Sequence, residues 1–99
     1  SHGIELYNTY YHTITGNFIR KGGTVDLSGC GIILRGTSRS NNITGNTVDG
    51  ANGTLNFAYA VREDTTSDGT NLITGNILQG AGTQIGTQSA ASVVANNLT

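Results

Sequence analysis

The sequence predicts an all-β solenoid of about four coils over residues 1–99, the architecture that a short sequence repeat implies. Three observations carry the prediction. First, one signature recurs: HTITGNFI at 12–19, NNITGNTV at 41–48, NLITGNIL at 71–78 and SVVANNLT at 92–99. Its aligned asparagines, Asn17, Asn46, Asn76 and Asn97, lie 29, 30 and 21 residues apart. Second, hydrophobic residues make up 35% of the chain and charged residues 11%, with 15 glycines and no proline. Such a chain is too weakly charged for disorder and too β-branched for a Gly/Ser linker; it suits short strands joined by polar turns. Third, no window carries the i, i+3, i+4, i+7 apolar stripe of a helix.

Each element follows from local alternation. Residues 3–6 form the first strand. Ile14 and Thr15 then alternate inward and outward, as β geometry requires. Gly16-Asn17 interrupts the strand. Asparagine is the non-glycine residue that most readily takes a left-handed backbone, so the pair reads as a sharp bend. Phe18 and Ile19 resume the strand. The second repeat has a strand at 31–34 and its bend at Gly45-Asn46, and Asn52-Gly53 marks a turn after it. The third has a strand at 58–61, an acidic polar loop at 62–69 and a bend at Gly75-Asn76. The fourth has a strand at 82–85 and a variant bend at Asn96-Asn97. Units this short bury no face alone; stacked, they bury a continuous core of Ile, Leu, Val and Phe. Equivalent strands then pair about 4.8 Å apart, and the bend asparagines line up as a hydrogen-bonded ladder.

The pattern Gly-Ile-x-Leu, followed about ten residues later by Asn-x-Ile-Thr-Gly-Asn-x-Ile, resembles the right-handed, single-stranded parallel β-helix repeat of the pectate-lyase-like superfamily. The resemblance covers nearly the whole chain. That group includes pectate lyases, polygalacturonases, alginate epimerases, phage tailspikes and periplasmic copper-maturation proteins. It implies an extracellular or virion-surface, carbohydrate-directed protein. The first reading is a tailspike or tail-appendage segment that binds, and in some members degrades, a host-surface polysaccharide, with homotrimer formation common in that group. The competing readings are a segment of a secreted polysaccharide lyase, glycoside hydrolase or uronate epimerase, and a purely structural rod. Solenoids need capping repeats and none is visible, so the chain is expected to be part of a longer β-helix or a subunit covered by partners.

Composition excludes several other classes. The net charge is −1 and no basic run exists, which argues against nucleic acid. No apolar run approaches a membrane span, and no signal peptide is visible. The single cysteine, Cys30, reads as a small core or turn residue. No Cys/His spacing supports a metal, and no cofactor motif is present.

Candidate site residues lie where the repeat breaks. Glycosidases need two carboxyl groups, about 5 Å apart for retention and about 6.5–9.5 Å for inversion. Glu63 and Asp64 are the candidate catalytic pair, able to converge only on a loop; a solvated loop is the competing meaning. Glu5 has no stacked acid, since its counterpart is Ile33. Arg35 and Arg62 both follow the strand that precedes the repeat motif, which places them on one face as candidate binders of an acidic sugar. Arg20, Lys21 and Arg39 are further cations, and surface ion pairs with Glu5, Glu63 or Asp64 are the plainer alternative. Tyr7 and Tyr11, with Tyr10 and His12, form an aromatic cluster suited to stacking on sugar rings; covering the coil's outer edge is the alternative. His12 stands where other repeats have Asn42 and Asn71 and reads as a turn hydrogen-bonder. The sets that mark the epimerases and polygalacturonases are missing.

Overall fold

Alternating aliphatic and threonine residues, broken by glycine, give many short strands and no helix among the described residues. The computed structural model describes residues 2–20, 29–50, 57–64, 70–87 and 91–99. The strands are β1 (His2–Tyr7), β2 (Thr13–Thr15), β3 (Phe18–Arg20), β4 (Cys30–Arg35), β5 (Asn42–Thr44), β6 (Thr47–Asp49), β7 (Phe57–Glu63), β8 (Leu72–Thr74), β9 (Ile77–Gln79), β10 (Ala81–Gly86) and β11 (Val93–Ala95). They form three sheets, ordered β1-β4-β7-β10, β2-β5-β8-β11 and β3-β6-β9. Every pairing is parallel. Each strand therefore lies beside its equivalent in the next repeat, and Leu98 extends the third sheet through a bridge to Ile77.

This register stacks like on like. Ile4, Ile32, Val61 and Ile85 form one column. Ile14, Ile43, Ile73 and Val94 form a second, and Ile19, Val48 and Leu78 a third. The central members Ile32, Val61, Ile43, Ile73, Val48 and Leu78 are fully buried, so the three columns meet in one core. A Cβ on Gly31 would lie 2.6 Å from Ala60 O and against the Val48 side chain, so this close approach of first and third sheets requires glycine.

The bend asparagines are themselves a column. Asn17 Nδ2 donates to Asn46 Oδ1 (3.0 Å), Asn46 Nδ2 to Asn76 Oδ1 (3.0 Å) and Asn76 Nδ2 to Asn97 Oδ1 (2.9 Å). Their sequence separations are 29, 30 and 21, the intervals of the repeat. The same amides donate to backbone carbonyls: Asn46 Nδ2 to Ile14 O and Asn76 Nδ2 to Ile43 O. A second column runs through Asn41, Asn71 and Ser92, with Asn41 Nδ2 donating to Asn71 Oδ1 (3.0 Å) and the Asn71 N–H to Ser92 Oγ (3.0 Å).

Four expectations are corrected. The left-handed residue of the bend is glycine rather than asparagine: φ is 70° at Gly16, 68° at Gly45 and 66° at Gly75. Glycine takes that conformation without steric cost, which leaves the following asparagine free to turn inward; Asn46 and Asn76 are each 1% exposed. Only where the glycine is missing does an asparagine, Asn96, adopt it (φ 56°). The loop expected at 62–69 begins later, because Arg62 and Glu63 pair with Ile33 and Leu34 and prolong β7. Phe18 points outward and is 68% exposed, because the neighbouring Ile19 takes the inward position; Phe57 is the buried phenylalanine. His12 aligns with Asn41 rather than Asn42, which pairs with Thr13. Lys21, Asp26, the Asn52-Gly53 turn and residues 65–69 of the loop lie outside the described residues. No helix among the described residues is long and apolar enough to cross a membrane.

Candidate functional site

The outer face of the first sheet, with the turn that follows each of its strands, carries most of the charged and aromatic side chains. Register determines the arrangement. Glu5, Ile33, Arg62 and Gly86 form one row across β1, β4, β7 and β10, and Tyr7 and Arg35 pair in the next. Asp64, one residue beyond β7, donates its N–H to Leu34 O and so stands beside Arg35.

Arg35 is the hub of this face. Its Nη1 donates to Glu5 Oε2 at 3.0 Å and its Nε to Asp64 Oδ2 at 3.2 Å. The bond to Glu5, followed by the attraction of both carboxylates, raises the guanidinium pKa further. Arg62 approaches Asp64 through Nη2 (4.0 Å) and lies over the Tyr59 ring at 4.6 Å, a cation–π arrangement. A Cβ on Gly86 would lie 2.7 Å from Tyr59 Cε2, so the ring rests on a glycine. Two cations and two carboxylates thus alternate, Glu5, Arg35, Asp64, Arg62. Arg35 and Arg62 do not share a row, because Arg62 pairs with Ile33. Their charges are compensated in place.

Glu63 and Asp64 are turned apart. Glu63 is 3% exposed; its Oε2 accepts from Asn71 Nδ2 (2.7 Å) and from the Ser92 hydroxyl. Asp64 faces outward onto Arg35. The two carboxylates do not converge, because β7 carries Glu63 into the interior at the position where β4 carries Leu34. Cys30 is fully buried. Burial pushes its thiol pKa up, and nearby Arg62 opposes the shift. Its N–H donates to His2 Nδ1 (3.0 Å).

Tyr7 ends β1, and Tyr10 and Tyr11 lie in the turn that follows it. Tyr7 is 63% exposed, Tyr10 41% and Tyr11 86%. Tyr10 bridges to Arg39, whose guanidinium lies 5.0 Å from the Tyr10 ring centroid. Asn8 Oδ1 accepts from the Thr37 N–H (2.8 Å) and ties this turn to its equivalent in the next repeat. Tyr11 has φ 58°, and so does Ser40 one repeat on. Both repeats therefore call for a left-handed backbone here, and the first fills it with a bulky aromatic residue, which that region disfavours. His12 holds the turn through its ring, with Nδ1 2.8 Å from Tyr10 O. Sequence reasoning singled out Tyr7 and Tyr11 but missed two stacks: Arg39 on Tyr10, although the two residues lie one 29-residue repeat interval apart and pair in register, and Arg62 on Tyr59, two residues of the same strand that the repeat spacing does not link.

Among the described residues, no group of three His, Cys, Asp or Glu side chains is placed to hold a metal ion. No family model, curated protein or solved structure matches the chain.

Proposed function

We propose that the three parallel sheets are the faces of a right-handed parallel β-helix of the pectate-lyase-like kind. Its outer face around Tyr7, Tyr11, Arg35 and Arg62 binds a polysaccharide. On this reading the chain is part of an extracellular attachment protein, such as a phage tailspike, that engages a host-surface glycan. The observation that carries it is Tyr11, 86% exposed on a left-handed backbone. Packing does not reward an exposed ring, and backbone strain of this kind concentrates at functional sites. With Tyr7 and Tyr10 it offers flat apolar surface edged by hydroxyls, the chemistry that stacks on a sugar ring. The alternating charges of Glu5, Arg35, Asp64 and Arg62 add hydrogen-bonding groups with little net field, which suits a neutral or weakly acidic glycan better than a polyanion.

An oligosaccharide array spanning neutral and acidic glycans tests the reading. Binding is expected, and Tyr7→Ala and Tyr11→Ala each weaken it roughly twofold to tenfold, the worth of one aromatic contact. Arg35→Ala weakens it too. Failure to bind any glycan, or unchanged affinity in all three variants, overturns the assignment.

A further inference from the structure

Arg35 holds its two carboxylates in different ways. Asp64 is the fixed partner. Its N–H donates to Leu34 O, which sets it beside Arg35, and its Oδ2 accepts from Arg35 Nε at 3.2 Å. The Asp64 side chain is 19% exposed, and its Oδ1 lies 4.0 Å from Arg62 Nη2. Glu5 is the outer partner. It pairs in register with Ile33 rather than with Arg35, so its side chain reaches along the sheet to accept from Nη1 at 3.0 Å. The Glu5 and Arg35 side chains are each 41% exposed.

This pair offers unlike groups side by side. Arg35 uses Nε and Nη1 in its two bonds, and its Nη2 donates to no described residue. Glu5 accepts through Oε2, which keeps Oε1 as a further acceptor. A donor and an acceptor this close match the neighbouring hydroxyls of a sugar, because a hydroxyl both donates and accepts. A sugar carboxylate only accepts, so it is satisfied by Arg35 but set against Glu5. The charges of Glu5, Arg35, Asp64 and Arg62 cancel, and without Glu5 one positive charge is left over. Tyr7 lies alongside. It pairs with Arg35 across β1 and β4, and a Cβ on Gly36 would lie 3.4 Å from Tyr7 Cζ, so the tip of the ring reaches the residue after Arg35.

We propose that the Glu5–Arg35 pair determines the specificity of this face: it reads two neighbouring hydroxyls of a neutral sugar, and Glu5 excludes uronates. The inference rests on the glycan-binding reading above. One sugar hydroxyl accepts from Arg35 Nη2, its neighbour donates to Glu5 Oε1, and the sugar ring stacks on Tyr7. Asp64 keeps the guanidinium in place. A uronate would bring its carboxylate to the same guanidinium beside the charge of Glu5, and like charges brought together across an interface suppress the wrong partner. Discrimination of this kind comes from a repulsive group as much as from an attractive one. Exposed ion pairs contribute little to stability, so the fold does not depend on Glu5.

Glu5→Gln tests this, because the amide keeps the size of the side chain and removes its charge; a thermal melt checks that the variant folds. On an array of neutral and uronate-containing oligosaccharides, the native chain is expected to prefer the neutral ones. The variant is expected to bind neutral glycans about threefold more weakly and uronates about tenfold more tightly, since a charged acceptor is lost and Arg35 is less compensated. The gain for uronates should fade at high salt. An unchanged preference, an equal loss for both classes, or a native chain that prefers uronates overturns the proposal. A second measurement separates these outcomes from a failure of glycan binding itself. The Arg35 Nε–H resonance is followed by NMR as glucuronate, or glucose as the neutral control, is added to each protein. Glucuronate is expected to shift it in Glu5→Gln and not in the native chain. No shift in the variant, or equal shifts in both proteins, overturns the role of Glu5 whatever the array shows. The expected shift with an array that binds nothing upholds the exclusion of anions by Glu5 and overturns the polysaccharide reading alone.

Discussion

A buried asparagine is stable only when its amide is fully engaged, and Asn46 meets that condition. Its Oδ1 accepts from the N–H (3.1 Å) and Nδ2 (3.0 Å) of Asn17, and its Nδ2 donates to Ile14 O, Thr44 O and Asn76 Oδ1. Asn46→Ala would orphan several buried groups at once. The expected loss is about 3 kcal/mol or more. Asn17 lies at the exposed limit of the same column, so Asn17→Ala is expected to cost only about 1 kcal/mol. Urea denaturation of the two variants checks the order, and equal losses would refute the ladder's contribution. Cys30 behaves differently. Its thiol is held protonated by burial, above the ordinary value of 9.0. Between the unfolded and folded values the unfolded chain binds fewer protons, so stability falls as pH rises past 9.0. Below that value the thiol adds no pH dependence. Denaturation midpoints between neutral and alkaline pH should therefore fall more steeply for the native chain than for Cys30→Ala, and native Cys30 should resist thiol reagents until the chain unfolds.

At the scale of the element, the Ile-Thr-Gly-Asn bend assigns each residue one task. The aliphatic residue fills the core, threonine faces out, glycine turns the backbone and asparagine enters the polar column. The spacing and alternation were legible in the sequence because a repeat prints the same geometric demand several times. The division of labour between Gly45 and Asn46 was not, because both residue types tolerate positive φ and composition does not say which one turns. Asn96 supplies the natural experiment, with an asparagine at φ 56° where the other repeats have glycine. Replacement of Gly45 is therefore expected to follow the order Gly, Asn, Ala in decreasing stability. Alanine costs about 1–2 kcal/mol through its Cβ in the left-handed region, and asparagine costs less. Thermal denaturation of Gly45→Asn and Gly45→Ala checks this; alanine matching glycine would contradict it. The candidate site was less legible than the bend. Tyr7 and Tyr11 stood out by type, but the pairing of Arg35 with both Glu5 and Asp64 depends on a strand that runs on to Glu63, and local polarity pointed to a loop there.

At the scale of the whole molecule, pairing and burial are greatest in the central strands of each sheet. Among the described residues, the strands β5 and β8 have a hydrogen-bonded neighbour on each side, while β2 and β11 have one. Burial follows the same gradient, from the fully buried Ile43 and Ile73 to Val94 at 43% exposed. On the proposed solenoid reading, each unit's stability is its own plus that of its interfaces, so the outer units are expected to open first. Ile43→Ala removes a side chain packed on all sides and is expected to cost about 3–4 kcal/mol, within the usual range for a buried isoleucine. Ile14→Ala, only partly buried, is expected to cost about half of that by the same relation between lost burial and stability. Native-state hydrogen exchange on dilute protein provides the independent measurement. Amides of β5 and β8 should exchange more slowly than those of β2 and β11, and Ile14→Ala should loosen the first repeat while leaving β8 protected. Uniform protection across all repeats would show that the stack opens only as one unit and would overturn the gradient.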